Sequence, residues 1–419
     1  MSDLKEQIHT IGAQARKASR ELARLSRQEK DVALIAMADE LEANPRKILV
    51  ANALDLEKAE KSGLSSAMMD RLRLNEERLK TMAKGIRDVV GLTDPVGESL
   101  REWTRPNGLK ITKVRTPIGV VGIIYESRPN VTADAAVLCI KTGNATILRG
   151  GSESIHSNLA IAEVLQQGGA KAGLPENSVQ LIPVTDREAV KIMAQMDEFI
   201  DVIVPRGGHA LIEAVVANAR MPVIKHFHGV CIIYVDKEAD FAMAEQIIIN
   251  AKCQRPGVCN AMETLLVHEK IAAEFLGKIA PALATNKVEL RGDEATRKIL
   301  GESVKAATEQ DWTTEYLDLI LAVRVVSDLD SAVQHINHYG SHHSDAIITR
   351  DAQVAENFLH EVDSATVYWN ASTRFTDGAE FGFGAEIGIS TDKLHARGPM
   401  ALEELTTYKY LIRGEGQIR

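Results

Sequence analysis

The chain has 419 residues, a net charge of −9, and 45% hydrophobic and 26% charged residues. This length predicts two or three domains, and the negative charge disfavours nucleic acid or an anionic membrane surface as a partner. The four cysteines lack C-x-x-C spacing, the amino terminus is charged, and the apolar runs are short. We therefore expect a soluble cytoplasmic protein without a disulfide framework, a zinc site or a membrane span.

Apolar residues spaced by three and four between Leu4 and Leu25 predict a long amphipathic helix, and more helices are expected to about residue 92. Beyond Val114, the pattern predicts strands at 118–125, 145–149, 179–183 and 199–204, and helices at 132–142, 157–172 and 187–195. A second alternating series runs from about 230 to 389, and residues 402–412 are strand-like. This alternation predicts an α/β fold with a mainly parallel sheet that helices cover on both faces.

One cysteine, Cys259, is predicted to lie on a loop between a helix and a strand. The helix is expected at 241–251 and is followed by an Arg-Pro-Gly turn at 255–257, and an apolar strand begins soon after Cys259. A nucleophilic thiolate needs such a fixed and reachable position. A buried structural cysteine is an equal alternative on spacing alone, because free cysteines are often buried.

Four further polar features follow predicted strands. Pro205-Arg206-Gly207-Gly208 precedes a helix whose free N–H groups could bind a phosphate, although an ordinary connection is the commoner explanation. Arg149 could pair with a ribose phosphate or be a solvated surface residue. Asn130 could cap the next helix or donate to an oxyanion. The polar loop 370–378 suits an amino-acid carboxylate, or is an ordinary surface turn.

Four of the twelve histidines form two close pairs, His226 with His228 and His342 with His343. Neither pair has the H-E-x-x-H spacing of a helical zinc site. We therefore expect structural, hydrogen-bonded histidines and no metal site.

Eight segments carry a resemblance to a known family, in both order and spacing. They are Tyr125–Thr132, Lys141–Asn144, Pro205–Gly208, Gln254–Pro256 with Cys259-Asn260, His343–Ile347, Asn370–Gly378, Phe381–Gly388 and Leu394–Met400. Together they resemble the gamma-glutamyl phosphate reductases of the aldehyde dehydrogenase superfamily over essentially the whole chain. The resemblance implies a Rossmann-like cofactor domain at 1–106 and 127–228 and an α/β catalytic domain at 229–395. Residues 107–126 and 396–419 would form a small β oligomerisation element.

The resemblance also implies an activity, the NADPH-dependent reduction of L-glutamyl 5-phosphate to L-glutamate 5-semialdehyde with release of phosphate, in proline biosynthesis. By similarity, Cys259 is the nucleophile that forms a thioester. Asn130 and the backbone N–H of Cys259 would be the oxyanion donors. The family implies a homo-oligomer and leaves open a contact with glutamate 5-kinase.

Site residues for the cofactor and the substrate follow from the same resemblance. Arg149 stands where the superfamily has a lysine beside the adenosine ribose, which favours NADP(H) because arginine suits the 2′-phosphate. Pro205, Arg206, Gly207 and Gly208 match cofactor-binding positions, and Glu315 matches the glutamate that holds the nicotinamide ribose. Arg128, Arg255 and Arg374 are assigned to substrate binding.

The segment at 225–229 departs from the wider superfamily. Hydrolytic aldehyde dehydrogenases carry a glutamate there that activates water, whereas this chain reads Lys-His-Phe-His-Gly. A reductase has to protect its thioester from water, so the absence of this base disfavours an acid-forming aldehyde dehydrogenase. The other alternative, a non-catalytic cofactor-binding sensor that uses Cys259 for redox sensing, is disfavoured by the whole set of polar segments.

Overall fold

The computed structural model describes residues 2–126 and 128–419, so Ser127 of the predicted polar segment 125–132 lies outside the described residues. The chain forms two compact units. Unit 1 comprises Met1–Lys225, Gly382–Gly388 and Met400–Arg419, and unit 2 comprises His226–Phe381 and Ile389–Pro399. The predicted boundary between the cofactor domain and the catalytic domain lies after residue 228, whereas the observed boundary between the units lies after Lys225. No helix within the described part of the chain is long and apolar enough to cross a membrane.

Unit 1 begins with five helices, followed by a hairpin. The helices are α1 (Ser2–Leu22), α2 (Arg27–Ala43), α3 (Pro45–Lys61), α4 (Ser66–Leu72) and α5 (Glu76–Gly91), and the hairpin strands are β1 (Ser99–Thr104) and β2 (Lys110–Pro117). The predicted apolar stripe is confirmed in α1, where Ile8, Ala15 and Leu22 are buried. A capping box, in which Ser26 and Glu29 satisfy each other's backbone N–H groups, fixes the start of α2.

A four-stranded parallel sheet forms the centre of unit 1. Its elements are β3 (Val120–Tyr125), α6 (Val131–Lys141), β4 (Ala145–Arg149), α7 (Ile155–Lys171), β5 (Val179–Leu181), α8 (Glu188–Ala194), β6 (Val202–Arg206) and α9 (His209–Asn218). The strand order is β5-β4-β3-β6. The chain thus moves outward from β3 to β5 and then returns to the other side of β3. Open α/β sheets bind ligands at such a reversal, outside the carboxyl ends of the strands.

Unit 2 contains a seven-stranded parallel sheet. Its elements are β7 (Cys231–Val235), α10 (Phe241–Cys253), β8 (Met262–His268), α11 (Glu269–Thr285), β9 (Glu289–Gly292), α12 (Glu294–Leu300), β10 (Lys305–Ala306), β11 (Ile320–Val326), α13 (Leu329–Tyr339), β12 (Ser344–Ile348), α14 (Ala352–Glu361) and β13 (Thr366–Trp369), with 3-10 turns at Gly301–Ser303, Glu309–Thr313 and Thr373–Phe375. The order is β10-β9-β11-β8-β7-β12-β13. Successive β7 residues point to opposite faces, so Ile233 joins one apolar cluster and Ile232 the other.

The last strands are β14 (Gly388–Ser390), β15 (Gly398–Met400) and β16 (Thr406–Arg413). β16 pairs antiparallel with β2, which gives a three-stranded sheet in the order β1-β2-β16. The hairpin of the small β element, for which the resemblance implies the bounds 107–126, requires correction. It lies at 99–117, whereas residues 120–125 form β3, which pairs with β4 and β6. The reason is that all six β3 residues are apolar or glycine and buried, as an inner strand of a covered parallel sheet requires.

Candidate active site

The carboxyl ends of β3 and β6 are neighbours, with Tyr125 paired to Arg206. Just beyond them, the carboxylate of Glu126 accepts the N–H of Gly208 at 2.8 Å. Gly208 immediately precedes α9, so this N–H belongs to the amino end of a helix. A Cβ atom on Gly207 would lie 2.5 Å from the same Glu126 oxygen. The turn that was predicted to bind a phosphate therefore binds a carboxylate of the chain itself, as expected for an anion-binding helix terminus.

Arg149 ends β4 at the same edge of the sheet and is only 7% exposed, so the alternative of a solvated surface arginine is wrong. Its Nη2 donates to the carbonyl of Thr185 at 3.2 Å, and its Nε has no hydrogen-bond partner among the described residues. Burial lowers the pKa of Arg149, while the charges of Glu153 and Glu126 oppose the shift. A buried guanidinium with an unused donor is thus present where a ligand phosphate was predicted.

Asn130 lies directly before α6 and is exposed. Its side chain makes no capping hydrogen bond, because its own backbone is already helical, with φ −59° and ψ −29°. The capping interpretation is therefore wrong. The Nδ2 group instead donates to the carboxylate of Asp134 at 2.8 Å. Burial raises the pKa of Asp134 to about 6, and the Asn130 hydrogen bond and the Arg206 charge oppose this shift.

The sequence reasoning passed over Asp134, although its position four residues after Asn130 on a predicted helix was a usable signal. Two other predicted residues complete the unit 1 group. Pro205 is buried in β6 beside Ile124, and Arg128 is exposed after β3.

In unit 2, Cys259 lies between α10 and β8, at the amino end of the sheet. It is partly exposed, unlike Cys139 and Cys231, so the alternative of a buried structural cysteine is wrong. Its backbone is fixed by a close approach, because a Cβ atom on Gly229 would lie 1.9 Å from the Cys259 carbonyl oxygen. The thiol of Cys231 also donates to that oxygen at 3.2 Å.

Asn260 connects the cysteine loop to the predicted polar loop at 370–378. Its Nδ2 donates to the carbonyl of Thr376 at 2.9 Å, and its own carbonyl accepts the hydroxyl of Thr373 at 2.8 Å. Arg374 Nη1 donates to Asn260 Oδ1. The polar loop is therefore an anchored part of the Cys259 surroundings, and the interpretation as an ordinary surface turn is wrong.

Arg374 is partly buried in this arrangement and also donates through Nε to the side chain of Gln254 at 3.1 Å. Burial lowers the pKa of Arg374, and the positive charge of Arg255 adds to this effect. The charge of Cys259 acts on the same guanidinium in the opposite direction. Two predicted substrate-binding arginines and the cysteine therefore share one neighbourhood.

A buried ion pair closes the base of the cysteine loop. Lys252 at the end of α10 and Glu263 in β8 are both inaccessible to solvent, and their charged atoms lie 2.6 Å apart. Burial lowers the pKa of Lys252 and raises that of Glu263, while each charge opposes the shift of the other. Glu263 also accepts the N–H of Leu317 at 3.2 Å. The sequence reasoning missed this pair, although a glutamate inside an apolar strand was a signal for it.

Glu315 belongs to the segment that Leu317 anchors. Its carboxyl group accepts the N–H of Gly229 and lies 3.6 Å from Nδ1 of His228. Burial raises the pKa of Glu315, and these two contacts oppose the shift. A carboxyl group from a distant part of the sequence thus contacts the 225–229 segment, which has none of its own.

The expectation of hydrogen-bonded histidines is confirmed at three of them. Nδ1 of His342 lies 2.6 Å from the Asp363 carbonyl, and Nδ1 of His226 lies 2.9 Å from that of Ile389. His343 is buried, bonds to the Ser344 hydroxyl at 2.8 Å, and has its pKa lowered to about 3 by burial. Over residues 2–126 and 128–419, no cluster of three or more His, Cys, Asp or Glu could hold a metal ion.

Comparison with known proteins identifies the general class of this protein. The model of the aldehyde dehydrogenase family matches residues 2–299, which is most of the chain. The crystal structure of an acetylating aldehyde dehydrogenase from Geobacillus thermoglucosidasius shares the fold, with a TM-score of 0.69 at 18% identity, over 100% of this chain and 98% of that chain. The fold and the family match together define an enzyme of the aldehyde dehydrogenase class, which uses a nicotinamide cofactor.

More similar proteins narrow the assignment. Gamma-glutamyl phosphate reductase of Moorella thermoacetica is 58% identical over 413 residues, or 99% of each chain. The crystal structure of gamma-glutamyl phosphate reductase from Thermotoga maritima has a TM-score of 0.97 at 48% identity and covers 98% of this chain and 99% of that chain. The chain belongs to the gamma-glutamyl phosphate reductase family.

The close approach at Gly229 gives a first prediction. We expect Gly229→Ala to displace the Cys259 backbone, because overpacking of this kind costs about 1–3 kcal/mol. The variant should have a lower melting temperature and an altered rate of Cys259 alkylation by iodoacetamide. Gly257→Ala, in the cysteine loop itself, is the matched control, since its Cβ atom would lie 3.7 Å from the nearest oxygen, at ordinary contact distance. Equal behaviour of the two variants would contradict the packing argument.

Proposed function

We propose that the protein reduces L-glutamyl 5-phosphate to L-glutamate 5-semialdehyde with NADPH and releases phosphate, as a step of proline biosynthesis. The observation that carries the proposal is Cys259 on an anchored, partly exposed loop beside Arg255 and Arg374. Two cationic side chains next to a nucleophile suit a substrate that carries both a phosphate and a carboxylate. Membership of a family whose relatives are named gamma-glutamyl phosphate reductase supports the same substrate.

Cys259 acts in this proposal as the nucleophile. An ordinary thiol has a pKa near ~8.5, so a thiolate at neutral pH needs positive charge nearby. We assign this role to Arg374, whose charge interacts with that of Cys259, and to Arg255, which precedes Cys259 in the same loop. The sulfur attacks the acyl carbon, the bond from that carbon to the phosphate oxygen breaks, and phosphate leaves. The product of this step is a thioester on Cys259.

The charge that develops on the substrate oxygen requires hydrogen-bond donors. We assign this role to Nδ2 of Asn130 and the backbone N–H of Cys259. Such donors stabilise the tetrahedral species formed before phosphate leaves and again after reduction of the thioester. The second species is a hemithioacetal anion, and its collapse breaks the C–S bond, releases the aldehyde and regenerates the thiolate.

The residues proposed to hold NADP(H) are Arg149, Pro205, Arg206, Gly207, Gly208 and Glu315. Two observations fit an anionic cofactor: the unused Nε donor of buried Arg149, and the N–H of Gly208 that already binds a carboxylate. When bound, NADPH supplies the hydride that reduces the thioester carbonyl. A cofactor phosphate at the start of α9 would have to replace the carboxylate of Glu126.

The same proposal gives roles to larger parts of the chain. Unit 1 is assigned to cofactor binding and unit 2 to catalysis. The sheet β1-β2-β16 is assigned to homo-oligomer formation, because β16 is an edge strand with exposed Tyr408, Tyr410 and Ile412. A contact with glutamate 5-kinase and a cytoplasmic location belong to the proposal, and a reducing compartment is supported because none of the four cysteines forms a disulfide.

An assay in the oxidative direction tests the function. We expect NADP reduction with glutamate 5-semialdehyde to require inorganic phosphate, because phosphate must release the acyl group from the thioester. An acid-forming aldehyde dehydrogenase would turn over without phosphate, and the carboxyl group of Glu315 beside Gly229 makes that alternative worth testing. Cys259→Ala should lose activity by at least about 10³-fold. Cys253→Ala, at the end of α10, should retain the activity. Equal activity of the two variants would refute the assignment of Cys259 as the nucleophile.

Arg149 is predicted to determine the preference for NADPH. We expect Arg149→Ala to lower kcat/KM for NADPH by about 10–100-fold and to change the value for NADH little, because a charged hydrogen bond to the 2′-phosphate is lost. Arg187→Ala is the control, since it removes a positive charge that acts on Arg149 but comes from an exposed side chain. If the ratio of kcat/KM for NADPH to kcat/KM for NADH is unchanged in Arg149→Ala, Arg149 does not determine the cofactor preference.

Arg374 is predicted to bind the substrate carboxylate. We expect Arg374→Ala to raise KM for glutamate 5-semialdehyde by about 10–100-fold, as loss of a charge-assisted contact implies. Because Arg374 also holds Asn260, the melting temperature is measured in parallel to detect loosening of the loop. Arg350→Ala, which breaks an exposed ion pair with Asp240, is the control. An unaltered KM in Arg374→Ala would contradict the assignment.

A further inference from the structure

Asn130 and Asp134 face each other across the first turn of α6. They are four residues apart, and Asn130 Nδ2 donates to Asp134 Oδ2 at 2.8 Å. Asn130 is exposed, whereas Asp134 is half-buried. The pair is therefore an exposed amide hydrogen-bonded to a half-buried carboxylate.

The orientation of this amide is chemically important. A side-chain amide has a donor end and an acceptor end, and rotation by half a turn about the Cβ–Cγ bond exchanges them. If Nδ2 lies within reach of the substrate oxygen, it can donate to the developing oxyanion, whereas Oδ1 in the same place would repel that charge. An exposed asparagine without a partner would populate both orientations, since only a broad, roughly two-fold torsional barrier separates them.

The carboxylate of Asp134 can accept hydrogen bonds but cannot donate them when ionised, so the amide end that faces it must be Nδ2. Its pKa of about 6 keeps the group mostly ionised at neutral pH. Arg206, at the end of β6, is the charged group whose field acts on it, and this field favours the ionised form. Since Nδ2 carries two hydrogens, one is used by Asp134 and the other remains available to a substrate.

We propose that Asp134 is a positioning residue, which holds the Asn130 amide with its donor end ready for the substrate oxyanion. The proposal rests on the proposed function, in which Asn130 is an oxyanion donor. Asp134 acts through Asn130 alone and touches neither the substrate nor the reacting atoms. Its removal therefore lowers kcat and leaves KM for glutamate 5-semialdehyde unchanged.

A matched pair of substitutions isolates the acceptor. Asp134→Leu and Asp134→Asn are both close in shape to aspartate and both remove the charge beside Arg206, but only the asparagine keeps an oxygen that can accept from Asn130. We expect Asp134→Leu to lower kcat by roughly 10–100-fold, less than the ~10²–10³ expected for loss of the donor itself. Asp134→Asn should remain within about three-fold of the parent enzyme, because one orientation of its amide still accepts the hydrogen bond.

A double-mutant cycle with Asn130→Ala separates positioning from a general structural effect. If Asp134 works only through Asn130, adding Asp134→Leu to Asn130→Ala should change kcat by less than about two-fold, since coupled residues are not additive. Glu163→Ala is the control. It removes an acceptor from Gln167 at 3.1 Å, with the same four-residue spacing on an exposed part of α7, and should leave kcat unchanged.

The outcomes are distinguishable. Full kcat in Asp134→Leu, equal loss in Asp134→Asn and Asp134→Leu, or an additive loss in the Asn130→Ala background would each overturn the proposal. Full activity in Asn130→Ala would overturn the positioning role of Asp134 together with the oxyanion role of Asn130. The role of Cys259 as the nucleophile is tested separately by Cys259→Ala. If Asp134→Leu does not fold, Asp134→Ser, whose shorter side chain does not reach Asn130, replaces it in the cycle.

Discussion

The buried ion pair between Lys252 and Glu263 is the interaction on which the geometry of the cysteine loop depends. Lys252 lies in the last turn of the helix before the loop and Glu263 near the start of the strand after it, so their 2.6 Å contact closes the loop at its base. Neither charge reaches solvent, and removal of one partner from such a pair costs about 3–5 kcal/mol. Glu263 also holds Leu317, which fixes the segment that carries Glu315.

Above this base, the loop is held by contacts that leave little freedom. Gly229 packs against the Cys259 carbonyl without room for a side chain, and Asn260 is bonded to the polar loop through Thr373, Arg374 and Thr376. A nucleophile benefits from this restraint, because misplacement by about 1 Å can cost 10²-fold in rate. Cys259 stays partly exposed, so the restraint does not bury the residue.

The two units place their polar groups at opposite ends of parallel strands. In unit 1, Asn130, Arg149 and Arg206 lie at the carboxyl ends, at the reversal of strand order where ligands are expected. In unit 2, Cys259 lies at the amino end of β8, a position that this rule does not predict. The cysteine loop precedes β8 in the chain and therefore lies at the amino end of that strand, and the parallel pairing of β8 with β7 and β11 places their amino ends at the same edge of the sheet.

The predicted bounds of a strand agree with the structure where the sequence marks the ends of the strand clearly. The strand at 145–149 has the predicted bounds, because a Gly-Asn turn precedes it and glycines follow it. The strand predicted at 199–204 instead begins at Val202, since the side chain of Asp201 bonds to Arg16 and to the N–H of Val120 before the strand starts. The hairpin was misplaced because strand-like residues run on both sides of the break at 118–119.

The sequence by itself determined the α/β class, the cysteine loop and the family, because apolar periodicity and motif order are written along the chain. Only the tertiary structure decided which groups meet. Asn260 and Arg374 are 114 positions apart, and Glu315 supplies to the 225–229 segment the carboxyl group that its own residues lack. The burial that shifts the pKa of Asp134, Glu263 and Glu315 is likewise a product of packing, since water is excluded only when distant segments come together.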